Sequence, residues 1–371
     1  MALAYHEEIL KRIKEWPVGP GIYIMRDADK RILYVGKAKN LRNRIRSYFQ
    51  KLEGHSPKTQ TLVKRIADVE FTVTNTELEA LLLECNLIKK HRPRYNIRLK
   101  DDKNFPYVAL DFTHPYPQFR ITRKVIPNPK TRYFGPYSAG VNEISRFLLK
   151  TFQIRDCSDS KFKSRTRPCL NYEIGTCTAP CVDYVSKEDY TKQIDEAILF
   201  LKGKKKELLS TFKKEMAQAS ENLEYEKAKG FRDRIRAVEK ITEKQNAVLT
   251  EKLKDIDIVG AYITPDRICI VVLFVRSGFL TGRKVEKVPL VLDSSEETIR
   301  SFLEQYYLMN LIPDEVWLAN DFPDRDILET FLTKKTQKKV QIRIPRSEKP
   351  LRLLGMAYEN AKLIFLEDEK K

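Results

Sequence analysis

The stretch from 21 to 49 constrains the fold most, because its hydrophobic pattern changes once from strand-like alternation to helical spacing. The alternation runs to Val35 and is interrupted by a polar turn at 27–30, which predicts a short antiparallel hairpin. After Gly36 the sequence becomes strongly basic, and a predicted helix carries its apolar side on Leu41, Ile45 and Phe49. A hairpin that runs directly into a basic helix predicts a small α/β unit.

Two further elements complete this unit. A third strand is predicted at 69–74. An apolar helix follows it, with Thr74 and Glu77 as its expected capping box and Pro93 at its end.

The pattern changes several more times along the 371 residues, which predicts a multidomain α/β protein. The expected parts are the α/β unit at 1–100, an α/β extension at 101–154, a cysteine-rich segment at 155–186, a helical region at 187–248 with an αα-hairpin at about 205–240, and a C-terminal α/β domain at 249–371.

Charge points to a polyanionic partner. The formal net charge is +18, and residues 1–100 alone hold 21 Lys/Arg against 11 Asp/Glu. Phosphate contacts by clustered cations release counterions and favour nucleic acid, although a solubilising basic surface is the simpler alternative. No apolar run approaches the ~20 residues of a membrane span. The N-terminus lacks a signal-peptide core, so we expect no membrane partner and a cytoplasmic location.

Residues suited to phosphodiester chemistry cluster in the first hundred positions. They are Tyr23 and Tyr34 on the paired strands, Lys37, Arg44 and Tyr48 on roughly one face of the helix after Gly36, Glu84 in the apolar helix, and Asn96 beyond Pro93. One carboxylate suffices to hold Mg²⁺ whose other ligands are waters and phosphate oxygens, and an arginine neutralises the growing phosphate charge. Packing tyrosines and a solvent-exposed glutamate are the structural alternatives.

Four of the six cysteines lie within 25 positions, which favours a metal centre over disulfides in a cytosolic protein. Cys157, Cys169, Cys177 and Cys181 are separated by eleven, seven and three residues, which is not a paired zinc spacing. Zinc, an iron–sulfur cluster and free thiols all remain open. Cys85 and Cys269 lie in apolar segments and are expected in cores.

Several motifs together resemble the GIY-YIG nuclease family, and specifically the UvrC family of bacterial excinuclease subunits. They are "GIY" at 21–23, "YVG" at 34–36, "KAKNLRNRIRSYF", "ELEALLLECNLIKKHRPRYNI" and "KDDKNFPY". The resemblance implies that Tyr34 is the general base, Tyr23 its partner phenol, Glu84 the ligand of Mg²⁺ or Mn²⁺, and Arg44 the phosphate-binding arginine. It places Lys37, Tyr48 and Asn96 in supporting positions.

The resemblance continues through the cysteines and the helical hairpin. It implies a [4Fe–4S] cluster in at least some members of the family. The hairpin resembles the UVR motif, which pairs with a similar hairpin of UvrB. The expected partner-binding residues are Met216, Leu223, Tyr225, Phe231 and Ile235. The implied partners are UvrB, damaged double-stranded DNA and, indirectly, UvrA.

The C-terminal third resembles the UvrC segment that precedes a second nuclease. Asp255 and Asp257 open a strand, but no further carboxylate set follows. We therefore expect no RNase H-like nuclease, no second active site and no tandem helix-hairpin-helix motifs, in either a fragment or a naturally shorter protein. The leading hypothesis is an excision-repair endonuclease that cuts on the 3′ side of a lesion. The alternative is a DNA-binding scaffold that does not cut.

Overall fold

The computed structural model describes residues 2–50, 55–97, 99, 105–126, 128–137, 140–244, 254–290 and 294–369. Two compact units are present. The first comprises 1–102, 258–272 and 285–371, and the second comprises 103–257 and 273–284. The expected boundaries at 100/101 and 248/249, and most of the "KDDKNFPY" motif, lie outside the described residues.

The N-terminal part of the first unit is a small antiparallel sheet covered by helices, and the sheet has the strand order β2-β1-β3. Its elements are α1 (Ala2–Ile13), β1 (Gly21–Arg26), β2 (Ile32–Ala38), α2 (Leu41–Gln50), α3 (Pro57–Arg65), β3 (Asp68–Val73) and α4 (Glu77–His91). The β1–β2 hairpin, strand β3 and helices α2 and α4 confirm the predicted α/β unit. Helix α3 was not predicted.

Local chemistry sets the register of this sheet. The Asp27 carboxylate accepts hydrogen bonds from the backbone N–H groups of Asp29 and Arg31, which closes the β1–β2 turn. On the other side of β1, a Cβ at Gly21 would lie 2.3 Å from the carbonyl oxygen of Thr72. Glycine at this position therefore lets β3 approach β1 closely.

Helix α4 begins two residues later than the expected capping box. The Thr76 hydroxyl, not that of Thr74, accepts the backbone N–H of Glu79, and the Glu79 carboxylate accepts the backbone N–H of Asn75. Thr74 directly follows β3, and its N–H bonds the carbonyl of Pro20, the residue before β1, at 3.0 Å. The capping chemistry was right, but the continuing sheet pairing shifts it along the chain.

The second unit packs a small antiparallel sheet of order β5-β4-β6 against helices. Its elements are β4 (Tyr107–Asp111), β5 (Gln118–Thr122), β6 (Thr131–Phe134), α5 (Val141–Phe152), α6 (Asp159–Lys163), α7 (Leu170–Glu173), a short 3-10 helix (Pro180–Val182), α8 (Lys187–Leu201), α9 (Lys205–Glu221) and α10 (Tyr225–Lys244). Aromatic and aliphatic residues of the sheet and of α5, α8, α9 and α10 form one core.

The predicted helical hairpin is α9 and α10. It turns at Asn222–Glu224, where Leu223 adopts a left-handed φ of 59°. The open end of the hairpin is well packed, because Leu208, Phe212 and Val238 are fully buried in the core of the second unit. Only the end of the hairpin near the turn is therefore thinly packed, with Leu223 and Tyr225 exposed.

The C-terminal part contains a mixed sheet of order β11-β10-β7-β8-β9, in which β10 and β11 pair in parallel. Its elements are β7 (Ile256–Ile263), β8 (Arg267–Arg276), β9 (Phe279–Pro289), α11 (Ser295–Met309), β10 (Glu315–Leu318), α12 (Arg325–Thr336), β11 (Gln341–Arg343) and α13 (Glu348–Glu369). A Cβ at Gly260 would lie 2.3 Å from the Ala357 backbone. Glycine thus allows α13 to lie directly on β7.

Candidate active site

The side chains of three tyrosines singled out in the sequence lie close together at the N-terminal sheet. The hydroxyl oxygens of Tyr23 and Tyr48 are 2.8 Å apart, and the Tyr23 ring centroid lies 6.0 Å from those of both Tyr34 and Tyr48. All three side chains are buried. The hairpin supplies Tyr23 and Tyr34, and α2 supplies Tyr48, so three elements converge on one point as the sequence predicted.

Gly36 makes this convergence possible. A Cβ at this position would lie 2.5 Å from both Cζ and Oη of Tyr23 and 2.8 Å from Cε1 of Tyr34. Real Cβ atoms do not approach other atoms so closely, so any side chain here would push the phenols apart. A glycine inside a strand, two residues after a tyrosine, is the sequence signal of this close approach.

Asn96 holds the strand that carries Tyr34. Its Oδ1 accepts the Val35 N–H at 2.9 Å, and its Nδ2 donates to the Val35 carbonyl at 2.7 Å. Strand β2 is the edge of the sheet, so Asn96 satisfies backbone groups that would otherwise lack a partner strand. We infer a positioning role for Asn96, which agrees with the supporting position implied by the sequence.

Glu84 lies on the buried side of α4, so the simple alternative of a solvent-exposed glutamate is wrong. Its side chain is 4% exposed, and its Oε2 has no hydrogen-bond partner among the described residues. The backbone N–H of Lys37 bonds the carboxylate. Burial raises the pKa of Glu84, and the neighbouring carboxylate of Glu304 raises it further.

The sequence pattern suggested that Lys37 shares a helix with Arg44 and Tyr48, but Lys37 lies outside that helix. It lies in β2, opposite Ile22 of β1, and is 7% exposed. The helix starts only at Leu41, because the strand pairing continues to Ala38. The spacing of seven residues from Lys37 to Arg44 was therefore not a helical spacing, although both residues reach the same site.

Carboxylates of the C-terminal part hold both of these cations. Arg44 Nη2 lies 2.6 Å and 2.7 Å from the two oxygens of Glu297 at the start of α11. Lys37 Nζ lies 2.5 Å from Oδ2 of Asp324, which precedes α12. Burial alone would raise the pKa of Asp324, but Lys37, Arg300 and Lys39 lower it to about 2.

The cations and carboxylates line one cavity of about 540 Å³. Arg44, Lys37 and Asn43 contribute from one side, and Glu297 and Asp324 from the other. Sequence analysis missed Glu297, Asp324, Arg300 and Glu304. They lie more than 200 positions from the motif in sequence, and no local pattern distinguishes them from ordinary surface charges.

The proposed base is protonated in this arrangement. Burial raises the pKa of Tyr34 well above its ordinary value of 10.0, and the neighbouring Tyr23, Tyr48, Glu84 and Glu297 add to the shift. Burial also raises the pKa of Tyr23, although Arg44 and the hydrogen bond with Tyr48 oppose it. A phenolate here requires additional positive charge close to the phenols.

The four clustered cysteines are neighbours but not a preformed metal site. Cys157, Cys169 and Cys181 each interact electrostatically with Cys177. In the part of the chain that the structure describes, no three His, Cys, Asp or Glu side chains converge closely enough to hold an ion. The segment is anchored at its start by buried Arg155, which donates to the carbonyls of Tyr116 and Cys157. The metal centre therefore stays a prediction.

The five predicted partner-binding residues divide into two groups. Leu223 and Tyr225 at the hairpin turn are 69% and 65% exposed. Met216, Phe231 and Ile235 instead pack against the core of the second unit. The first two residues are therefore available to a partner, whereas the other three stabilise the unit itself.

Four family models match separate parts of the chain between residues 19 and 368. Residues 19–97 match the UvrC-like GIY-YIG domain, and 105–200 match the UvrC/Cho excinuclease middle domain. Residues 206–241 match the UvrB/uvrC motif, and 255–368 match the UvrC ribonuclease H-like domain. The chain thus matches four UvrC-type domain models in succession. These matches support the resemblance inferred from the sequence, except in its C-terminal part.

One part of that inference was wrong. The UvrC-type RNase H-like region is present at 255–368, in the segment where its absence was expected. The expectation rested on missing carboxylates, but apolar strands and helices specify a fold whether or not it carries catalytic groups. The carboxylate of Asp257 is fully buried, 2.7 Å from the guanidinium of Arg276. The Asp257 carboxylate is thus engaged in an ion pair with Arg276.

Curated relatives are similar over nearly the whole chain. UvrABC system protein C of Bdellovibrio bacteriovorus is 42% identical over 99% of this chain and 60% of its own length. The protein of the same name from Caldanaerobacter subterraneus is 40% identical over 95% of this chain and 58% of its own length. The chain thus spans about 60% of the length of the curated relatives it matches.

A solved structure is similar in sequence to the N-terminal part. It is the GIY-YIG N-terminal endonuclease domain of UvrC from Thermotoga maritima, bound to its catalytic divalent cation, magnesium. It is 42% identical and covers 24% of this chain and 97% of its own, with a TM-score of 0.22.

In the described part of the present chain, no helix combines the length and apolar character needed to cross a membrane.

Proposed function

We propose that this chain is a metal-dependent DNA endonuclease of bacterial nucleotide excision repair that hydrolyses a phosphodiester on the 3′ side of a lesion. The observation that carries the proposal is the buried carboxylate of Glu84, with one unpartnered oxygen, close to phenols and cations. A buried charge without a partner is costly, so its retention indicates a ligand.

The residues present fit one divalent cation. Glu84 would hold Mg²⁺ or Mn²⁺ through its unpartnered oxygen, and a single protein carboxylate leaves the remaining positions to water and phosphate. The bound cation would supply positive charge that favours the phenolate and polarises the phosphate. Mg²⁺ is the ion named for the Thermotoga maritima domain.

The other side chains act on the water and on the phosphate. Arg44 would neutralise the charge that grows on the scissile phosphate, and Lys37 would hold a second phosphate oxygen. Tyr34 would take the proton of the attacking water. The hydrogen bond between Tyr23 and Tyr48 fixes the ring that packs beside Tyr34.

This chemistry requires DNA phosphates to replace Glu297 and Asp324 at the two cations. The ion pairs are also the one observation that favours a second function, a DNA-binding scaffold that does not cut. The unpartnered oxygen of Glu84 supports the cutting function instead, because a pure scaffold has no use for an unsatisfied buried carboxylate.

UvrB is the proposed direct partner, and UvrA acts through it. The match at 206–241 to a motif that UvrB and UvrC share supports a contact between like hairpins. Leu223 and Tyr225 are the exposed apolar side chains at its turn. The proposed substrate is damaged double-stranded DNA. The cytoplasmic location stays a prediction.

The cysteines extend the proposal to a [4Fe–4S] cluster. Cys157, Cys169 and Cys181 each interact electrostatically with Cys177, and the four side chains together would supply the four thiolates that such a cluster needs. Protein prepared without oxygen should contain stoichiometric iron and a visible absorbance band. Stoichiometric free thiols with neither iron nor zinc would contradict the centre.

A nicking assay tests the main proposal. The purified chain is incubated with UvrA, UvrB, Mg²⁺ and a duplex that carries one lesion and a label at one end. Incision at a single position 3′ to the lesion is expected, and none should occur on the undamaged duplex. Specific binding of the damaged complex without any incision would favour the scaffold.

A further inference from the structure

Four cations lie at every second position shortly before the second clustered cysteine: Lys161, Lys163, Arg165 and Arg167. Phe162, between the two lysines, turns inward and contacts His114 and Tyr116 at centroid distances of 4.8 and 5.5 Å. The lysines on either side of it are exposed. The nearby carboxylate of Asp159 pairs with Arg155 and Arg120 instead. This segment therefore presents its positive charge to solvent.

A polar cavity of about 580 Å³ adjoins the last two cations. Arg165, Arg167, Leu170 and Asn171 contribute to its lining, with Glu173 as its one carboxylate. The Nε–H of Arg165 is buried, and the described residues offer it no hydrogen-bond acceptor. A buried donor without an acceptor is costly, and a guanidinium donates best to an anionic oxygen. The lining of this cavity is therefore suited to an anionic oxygen.

Exposed rings follow the cations. Tyr172, next to Asn171, is 40% exposed, and Tyr184 is 58% exposed. The two rings meet edge to face at a centroid distance of 5.2 Å. Asn171 and Glu173, on either side of Tyr172, line the same cavity as Arg165 and Arg167, so the cations and the rings are neighbours. Large exposed side chains beside unpaired cations indicate a binding surface.

We propose that these residues form a DNA-binding surface of the cysteine-rich segment, distinct in its residues from the nuclease site. The basic–aromatic patch consists of Lys161, Lys163, Arg165, Arg167, Tyr172 and Tyr184. Arg165 and Arg167 bind a backbone phosphate in the cavity. Tyr172 and Tyr184 stack on an unpaired base of the same strand.

The combination of groups favours single-stranded DNA. Unpaired cations complement phosphates, and rings that project beside them stack on bases of any identity. Bases of an intact duplex are stacked on one another and leave no face for a tyrosine. The partner in this proposal is therefore the opened strand of a repair substrate.

The test measures the affinity of the full chain for a labelled oligothymidylate by fluorescence anisotropy over a range of salt concentrations. The double variant Arg165→Gln/Arg167→Gln should bind more weakly, and its salt slope should fall by about 0.7 because one single-strand phosphate contact is lost. Tyr172→Ala should weaken binding at least about fivefold at an unchanged slope, and Tyr172→Phe should restore it.

A matched control removes the same charge elsewhere in the second unit. Lys150 and Lys202 are exposed, and Lys150→Gln/Lys202→Gln should leave the salt slope unchanged. Wild-type affinity in either patch variant would overturn the proposal. So would loss of UvrB binding with oligonucleotide binding retained, since the patch would then be a protein-binding surface. Thermal unfolding monitors folding, and if the arginine variant unfolds, the two Tyr172 variants decide alone.

Discussion

Glu297→Gln should increase DNA cleavage, because Glu297 holds the arginine that the scissile phosphate needs. Both carboxylate oxygens lie within hydrogen-bond distance of one Arg44 nitrogen, at 2.6 and 2.7 Å. Glutamine keeps the shape and removes the charge. A phosphate then competes with a neutral amide instead of a carboxylate.

The magnitude follows from the burial of the pair. Hydrogen bonds to charged groups contribute about 1.5–3 kcal/mol, and exposed ion pairs much less. The side chains of Arg44 and Glu297 are 31% and 16% exposed, so the lower end of the range applies. About 1.4 kcal/mol corresponds to a factor of ten. We expect kcat/KM for Mg²⁺-dependent nicking to rise about tenfold.

The assay compares the wild type and Glu297→Gln on a labelled duplex, first without UvrB and then with it. Removal of any negative charge near DNA raises affinity somewhat, so Glu296→Gln serves as the matched control. Glu296 is the preceding residue and is exposed, and its carboxylate accepts a hydrogen bond from Ser294. Equal rates for Glu297→Gln and Glu296→Gln would refute the argument that the ion pair limits access to Arg44.

Three further outcomes follow from the geometry of the site and of the hairpin. Glu84→Gln should abolish nicking at saturating Mg²⁺. Burial raises the folded-state pKa of Glu84, so the stability of the wild type falls as the pH rises above the ordinary value of 4.5. In calorimetry without metal, the variant should therefore melt at a higher temperature than the wild type at pH 8 and at the same temperature at pH 4. Asn96→Ala removes two hydrogen bonds to Val35 and should cost about 1–3 kcal/mol of unfolding free energy in denaturant titrations, with slower nicking; an unchanged rate would separate Asn96 from the positioning of Tyr34. Leu223→Ala/Tyr225→Ala should weaken UvrB binding in calorimetry at an unchanged melting temperature, and unchanged affinity would place the contact elsewhere on the chain.

Local patterns predicted the elements of the N-terminal unit well. The hairpin, the third strand and the apolar helix depend on contacts within a few residues, and Leu41 and Ile45 are fully buried as expected. Strand and helix ends were less predictable. Lys37 remains in β2, and Thr74 bonds the backbone of Pro20 just beyond β3, because backbone pairing with a distant segment extends beyond the local signal.

The hairpin shows a different limit of the sequence pattern. Five of its apolar residues were expected to contact a partner, but three of them, Met216, Phe231 and Ile235, pack in or against the core of their own unit. Apolar spacing predicts that a helix face is covered without saying by what. Deletion of 205–240 would therefore also remove core residues such as Leu208, and point variants at the hairpin turn are the cleaner test.

The C-terminal domain was misjudged because carboxylates were sought where a nuclease would need them. Two of its carboxylates, those of Glu297 and Asp324, instead form ion pairs with Arg44 and Lys37. Their acidity looks ordinary in the sequence, and only the fold brings them within 2.7 Å of Arg44 and Lys37. Since a phosphate and a carboxylate compete for the same nitrogens, cleavage requires a DNA strand held firmly enough to displace both. Recruitment by a partner at the hairpin turn would supply that hold, because tethering raises the effective concentration of the DNA strand at the cations.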